Sequence, residues 1–338
     1  MAAGGRGAGR GPEARAAKAA AKAEAKAARV AAKAAARAAR ARAESEQIHG
    51  LAGAGRTGFL SGLAVIMRRL RKHRLAMAGL VLFFVLVLVA AFASYIAPYA
   101  PNEQNRGDAL MAPCAKHIFG SDEFGRDVFS RVLFGARMSL LVGVISVSIA
   151  LVVGVILGCL SGYFGGILDN VIMRVMDVML AFPAILLAIA IMSVLGPGLA
   201  NAMVAIGIVT IPQYARIVRG SVLSVRQNEY VEAARALGCS RWRIITRHVL
   251  PNILAPIIVR TTLGTSEAIL EAAALGFLGL GVQPPTSEWG AMLSRAQRYI
   301  YNAPYLATFP GMAITATVLG LNLLGDGLRD ALDPRLKE

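Results

Sequence analysis

From Ala76 to Ala97 the chain runs for 22 residues without a charged side chain. At about 1.5 Å per residue such a run, folded as a helix, crosses roughly 30 Å of hydrocarbon. A lipid-crossing segment must satisfy its backbone polar groups internally, so the rest of the fold has to be built around helices. Further apolar stretches follow at about 138–162, 172–195, 201–218, 253–280 and 306–326, which predicts six crossings. The composition agrees: 56% of residues are hydrophobic, 17% are charged, and mean hydropathy is +0.57. An ordinary soluble domain is excluded, and an all-α integral membrane protein with six transmembrane helices is expected.

Orientation follows from the basic residues. Arg68, Arg69, Arg71, Lys72 and Arg74 stand just before the first apolar run, and the sequence Tyr95-Ile96-Ala97-Pro98 after it is a poor cleavage site. The run therefore reads as a retained anchor with a cytoplasmic N-terminus. Six crossings then place the C-terminus on the same side, with 29 of the 36 Lys and Arg residues inside and seven outside. That asymmetry is the one membrane insertion favours. Cys114, Cys159 and Cys239 fall outside, within and inside the membrane, so no intramolecular disulfide is expected, and the four scattered histidines suggest no metal set.

Three regions precede or interrupt the bundle. Residues 1–56 are Ala-rich and carry 12 basic and four acidic residues, half of the net +16. Basic positions from Arg15 to Arg40 recur at steps of 3, 4, 4, 3, 4, 4 and 3, which forms one stripe if the segment is helical. Docking on anionic lipid, contact with RNA, and a solvated, partly disordered spacer all remain open, the spacer being favoured and no specific nucleic acid expected. Residues 57–75, with Phe59, Leu63 and Ile66 against Arg68 and Arg69, read as an amphipathic interfacial segment. The outer segment 98–137 contains Asp122 with Arg126 and Asp127 with Arg131 at i,i+4, which predicts a short charge-paired helix.

Inside the apolar runs, Gly154, Gly158 and Gly162 make a small-residue face for close helix approach. Arg174 and Asp177 are expected to pair near the cytoplasmic end of the third crossing. In the fifth, Glu267 and Glu271 share a face beside Thr265 and Ser266; acids at this depth should face a cavity or a partner, so they are candidates for a translocation path. Trp289, Tyr299, Tyr301 and Tyr305 suit an aromatic belt at the outer boundary.

The polar stretch 219–252 holds Glu232-Ala233-Ala234, Gly238, and Leu250-Pro251. Good helix formers over 229–237, a glycine where a left-handed cap is wanted, and Ser240 as a second cap predict helix, turn, helix. This spacing resembles the EAA loop of ATP-binding-cassette (ABC) importer permeases, with His248 departing where that pattern has isoleucine. The segments Gly120 to Arg131 and Leu278 to Thr286 are similar to the C-type subunit of the dipeptide, oligopeptide and nickel permease family. The resemblance implies a type I ABC importer permease fold in the bacterial inner membrane and import of dipeptides or oligopeptides. It also implies a B-type permease partner, separate ATPase subunits that hold ATP and Mg²⁺, and a substrate-binding protein. Glu232, Ala233, Ala234, Gly238, Leu250 and Pro251 would then form the ATPase-coupling surface. The sequence holds no phosphate-binding G-x-x-x-x-G-K-[ST] loop, so the chain itself is not expected to be an enzyme. The alternative is a gradient-driven carrier using Glu267 and Glu271 as ion sites.

Overall fold

A computed structural model describes Leu70 and residues 73–332 of the chain. The basic tail, nearly all of the 57–75 segment and the final Asp333-Pro334 lie outside them. Among the described residues the structure is helical, with one isolated bridge, Ser121 to Asp127, and no strand. Helix α1 is Arg74–Ala91, α2 Val128–Phe164, α3 Gly166–Leu180, α4 Ala184–Leu195 and α5 Leu199–Val225. A short α6, Glu229–Ala236, precedes the long α7, Arg241–Phe277, followed by α8, Trp289–Ala296, and α9, Tyr305–Leu332.

Among the described residues five helices, α1, α2, α5, α7 and α9, are long and apolar enough to cross a membrane. The expected crossing at 172–195 is instead two helices, α3 and α4, bent by 94° at residues 181–183. Pro183 causes the break, because it lacks an amide hydrogen and pushes Phe182 out of helical geometry. Six crossings result when that bent pair counts as one.

The core is the contact of α2 with α5. Beta carbons added at Gly154 and Gly158 would stand 2.4 Å from Tyr214 Cβ and 2.6 Å from the Ala215 carbonyl oxygen. The expected small-residue face is thus filled by α5 backbone and side chains. Val142, Val147 and Ala150 of α2 join Ile206 and Tyr214 of α5, Met192 of α4 and Leu275 of α7 in one buried cluster. Lateral apolar residues such as Phe84, Val144 and Leu319 are exposed, as lipid-facing positions should be.

At the end opposite the α6 hairpin, residues 98–127 form a compact cap whose wiring differs from the expected helix. Asp122 does bond Arg126 (2.6 Å), but within a turn. Asp127 is the N-cap of α2, accepting from the Ser130 amide (2.7 Å) and meeting His117 Nδ1 (2.9 Å). Arg131 turns away from Asp127 to donate to the Pro101 carbonyl (2.7 Å). A helix start needs a capping oxygen more than a surface pair, and a cap contributes about 1 kcal/mol against a few tenths. Trp289 is also not a belt residue: it is 1% exposed and donates from Nε1 to the Val132 carbonyl (3.0 Å), while Tyr301 is exposed.

Glu288 caps α8 from a buried position, accepting from the Gly290 and Ala291 amides (2.8 and 2.9 Å) and from the Ser139 hydroxyl (3.2 Å). Burial pushes its carboxyl above the usual range, against the pull of those three donors. A raised folded-state pKa means that the stability from this group is present at low pH and lost as pH rises through that value. Glu288→Gln keeps a carbonyl acceptor and removes the titration. Melting of the detergent-solubilised protein should therefore show this variant gaining on its parent as pH rises, while Glu288→Ala loses about 1–2 kcal/mol with the cap. A parent-to-Gln difference that is flat with pH would refute the titration.

Candidate coupling surface

The α6 hairpin is built by local chemistry. Glu229 and Glu232 lie in the first turn of α6 and Arg235 in its last, each at the end of the helix dipole that suits its charge. Gly238 then takes φ +75°, the Gly238 amide donates to the Arg235 carbonyl (3.0 Å), and the Cys239 amide donates to the Ala234 carbonyl (3.1 Å). That pair of bonds is a Schellman cap, and it turns the chain sharply. Ser240 starts the next helix by accepting from the Arg243 amide (3.4 Å).

That second helix does not stop at Pro251 as expected. It continues into the membrane as α7 through a π stretch, Ile245–Val249, and a tight turn, Leu250–Ile253. Pro251 cannot donate to the ladder, and the widened turn accommodates the missing bond. Asn252 Nδ2 donates to the His248 carbonyl (2.7 Å), replacing part of what is lost.

The hairpin has two faces. Val231 and Ala234 of α6 and Ile244, Ile245 and Val249 of α7 are buried in one cluster with Val218 and Val222 of α5 and Cys159 and Tyr163 of α2. Glu232, Ala233, Ala236, Leu237, Gly238 and Pro251 are exposed, and Leu250 is half-buried. Ala234, expected on the docking face, thus belongs to the inner seat. Arg226 donates to the Gly162 and Tyr163 carbonyls (3.0 and 3.1 Å), tying the end of α5 to the end of α2. Arg241 lies over the Phe164 ring (5.7 Å) and Trp242 meets the same ring edge-on (6.4 Å). Between these groups is a polar cavity of about 630 Å³ lined by Tyr163, Arg226, Glu232, Arg235 and Arg241.

The structure separates the remaining site residues from this surface. Glu267 and Glu271 lie far along α7, where Arg260 pairs with Glu267 (2.7 and 3.0 Å). The sequence reading missed that partner, whose signal was its i,i+7 spacing inside an apolar run. Asp177 likewise pairs with Arg216 of α5 (2.8 Å) and not with Arg174.

A bundle of apolar helices carrying one polar hairpin, seated on its inner face and exposed on the other, defines a multi-pass membrane protein with an exposed polar hairpin at one end. The chain belongs to the family described as binding-protein-dependent transport system inner membrane component, which it matches over residues 154–338. Residues 61–113 match the N-terminal transmembrane domain of oligopeptide transport permease C. It is 52% identical over 270 residues to the dipeptide transport system permease protein DppC of Alkalihalophilus pseudofirmus, covering 80% of this chain and 89% of that protein. Identity is 46% over 272 residues (80% and 91%) to the probable D,D-dipeptide transport system permease protein DdpC of Escherichia coli. It is 48% over 273 residues (80% and 90%) to the glutathione transport system permease protein GsiD of Pectobacterium atrosepticum. A solved structure of the MetNI methionine ABC transporter in an inward facing conformation shares the fold, with TM-score 0.50 and 20% identity over 60% of this chain and 96% of that one.

The protein is accordingly the membrane permease subunit of an ABC importer, with partner permease and ATPase subunits. It is not itself an enzyme, since ATP hydrolysis in this family lies in the separate subunits. Energy supply by an ATPase displaces the gradient-driven carrier.

Proposed function

We propose that this chain is the C-type half of a heterodimeric pore importing di- or oligopeptides, paired with a B-type permease and fed by an extracytoplasmic binding protein. The relatives named for dipeptides, D,D-dipeptides and glutathione support the substrate class. ATP and Mg²⁺ are bound by the ATPase subunits. The distribution of Lys and Arg supports cytoplasmic termini and a cytoplasmic hairpin.

The observation that carries the coupling is the two-faced hairpin. Its buried side shares one cluster with the ends of α2 and α5, so a pull on its exposed side moves those spans as a body. Ala233 and Ala236 allow an ATPase groove to close on α6, and Glu232 offers it a charged acceptor. Nucleotide-driven approach of two ATPase domains would then rock the bundle between inward-open and outward-open states.

Reconstitution tests this. The chain, purified with the B-type permease, ATPase subunits and binding protein and placed in liposomes, should accumulate labelled L-alanyl-L-alanine only with ATP. Uptake that persists without ATP and collapses with a protonophore would overturn the proposal.

A further inference from the structure

One stripe of α7 contradicts its apolar setting. Arg260, Glu267 and Glu271 stand at i, i+7 and i+11, so at about 100° per residue they fall within roughly 20° of one line along the helix. The Arg260 guanidinium reaches two turns along the helix and grips both Glu267 oxygens (3.0 and 2.7 Å). From α5, Gln213 accepts from Arg260 Nη2 and the Tyr214 ring lies 5.6 Å from the guanidinium. The Tyr214 hydroxyl donates to the Arg260 carbonyl (3.3 Å). Two polar atoms in this cluster, Arg260 Nε and Glu271 Oε2, are buried without a hydrogen-bond partner.

Such a cluster is costly against hydrocarbon, yet the Glu267 side chain is 49% exposed. The stripe also ends in a cavity. About 530 Å³ of space at the hairpin end of α7 and α9 is lined by Asn252, Pro256, Val259, Arg260 and Leu263 of α7 and by Arg329 of α9. That space, lined chiefly by apolar side chains, meets the stripe at Arg260.

Building on the peptide-importer reading, we propose that Arg260, Glu267 and Glu271 form a transfer station for zwitterionic short peptides inside the translocation path. The peptide ammonium docks on Glu271 and Glu267, and Arg260, released from Glu267, takes the peptide carboxylate. With the station empty, the Arg260–Glu267 pair keeps its net charge low. A zwitterion enters by exchanging partners, each charge meeting its opposite, so nothing charged is stranded and the net charge does not change. Glu271 Oε2, unsatisfied in the empty chain, gains the bond it lacks. Exchange of this kind holds the ligand weakly, which passage requires.

The test uses the full complex in liposomes and two readouts. Glu267→Cys is treated with a cationic methanethiosulfonate, and peptide mapping by mass spectrometry locates the label. Modification at position 267, slowed by L-alanyl-L-alanine, is expected. An unmodified position 267 assigns the stripe to lipid or to the permease interface and overturns the proposal. In parallel, Glu271→Gln and Arg260→Met should lower the maximal uptake rate of L-alanyl-L-alanine about tenfold, with complex yield and the binding protein's peptide affinity unchanged. Arg260→Met should also erase the preference for L-alanyl-L-alanine over its C-terminal amide. Parental rates and an unchanged preference would overturn it. Labelling reports water access whether or not the parent transports this dipeptide, so an inert parent sinks the importer reading and a dry stripe sinks only the station.

Discussion

Replacing Glu232 by arginine should cut ATP-driven uptake by more than about tenfold while leaving the protein folded and membrane-embedded. Glu232 is exposed on α6 and has no ion pair among the described residues, so reversing its charge costs the chain only its favourable place at the start of the α6 dipole. That loss is about 1 kcal/mol at an exposed helix start, too little to unfold the chain. Under the proposed coupling its cost falls on the ATPase interface, where truncating one member of a buried charge-assisted bond costs about 2–5 kcal/mol. At 1.4 kcal/mol per tenfold, this predicts a loss of about 30-fold to a few thousandfold in coupled transport. Peptide uptake and binding-protein-stimulated ATP hydrolysis in proteoliposomes should fall together, at unchanged yield of the chain. Normal uptake by the variant would show that Glu232 lies outside the working interface.

Gly238 separates backbone from surface effects at the same hairpin. Its φ is +75°, and a Cβ there would meet no atom within 4 Å, so the chain itself has space for a side chain and lacks only the right conformation. Asparagine visits that conformation readily, whereas a β-branched residue pays about 1–2 kcal/mol or more. Gly238→Val should therefore loosen the Schellman turn and uncouple transport, with Gly238→Asn retaining it unless the ATPase covers the position.

The hairpin could be read from the sequence because everything that shapes it is local. The α6 formers, the glycine at the cap, Ser240 and Pro251 act within a few residues of themselves. Its seat could not be read that way. Val231, Ile244 and Val249 are ordinary apolar residues until α5 brings Val218 and Val222 against them, and that pairing spans a gap no periodicity reports. The same reason accounts for Asp177, whose partner Arg216 lies on another helix while the nearer Arg174 does not bond it. Asp127 departs from its expected pairing for a different reason, since one carboxylate has two local uses and the cap outweighs the surface pair. Pro183 did signal the bend in the third span, but it is embedded in an apolar run long enough to cross alone.

The small-residue face on α2 gives the largest structural effect. A leucine at Gly158 would put its Cβ 2.6 Å from the Ala215 carbonyl oxygen and 2.7 Å from Val218 Cβ, before the rest of the side chain is placed. Flexible tips can swing away from such a clash, but a backbone carbonyl and a β-branched carbon cannot. The two helices would have to separate, and with them the cluster that joins Val147 and Ala150 to Ile206 and Tyr214. In lipid no hydrophobic effect draws them back, because close packing is itself the force that holds transmembrane helices together. Overpacking typically costs about 1–3 kcal/mol, and a backbone contact in the main interface belongs at or beyond the upper end. Gly158→Leu should therefore leave little folded protein after detergent extraction, read by size-exclusion chromatography, and Gly158→Ala should show a milder loss. An outward-facing control such as Val144→Leu, at a position 54% exposed, should extract normally. The contrast also bears on transport, because the proposed coupling needs α2 and α5 to move as one body, with this face closed. Recovery of folded Gly158→Leu with normal uptake would mean that the hairpin drives the bundle by some route other than the α2–α5 contact.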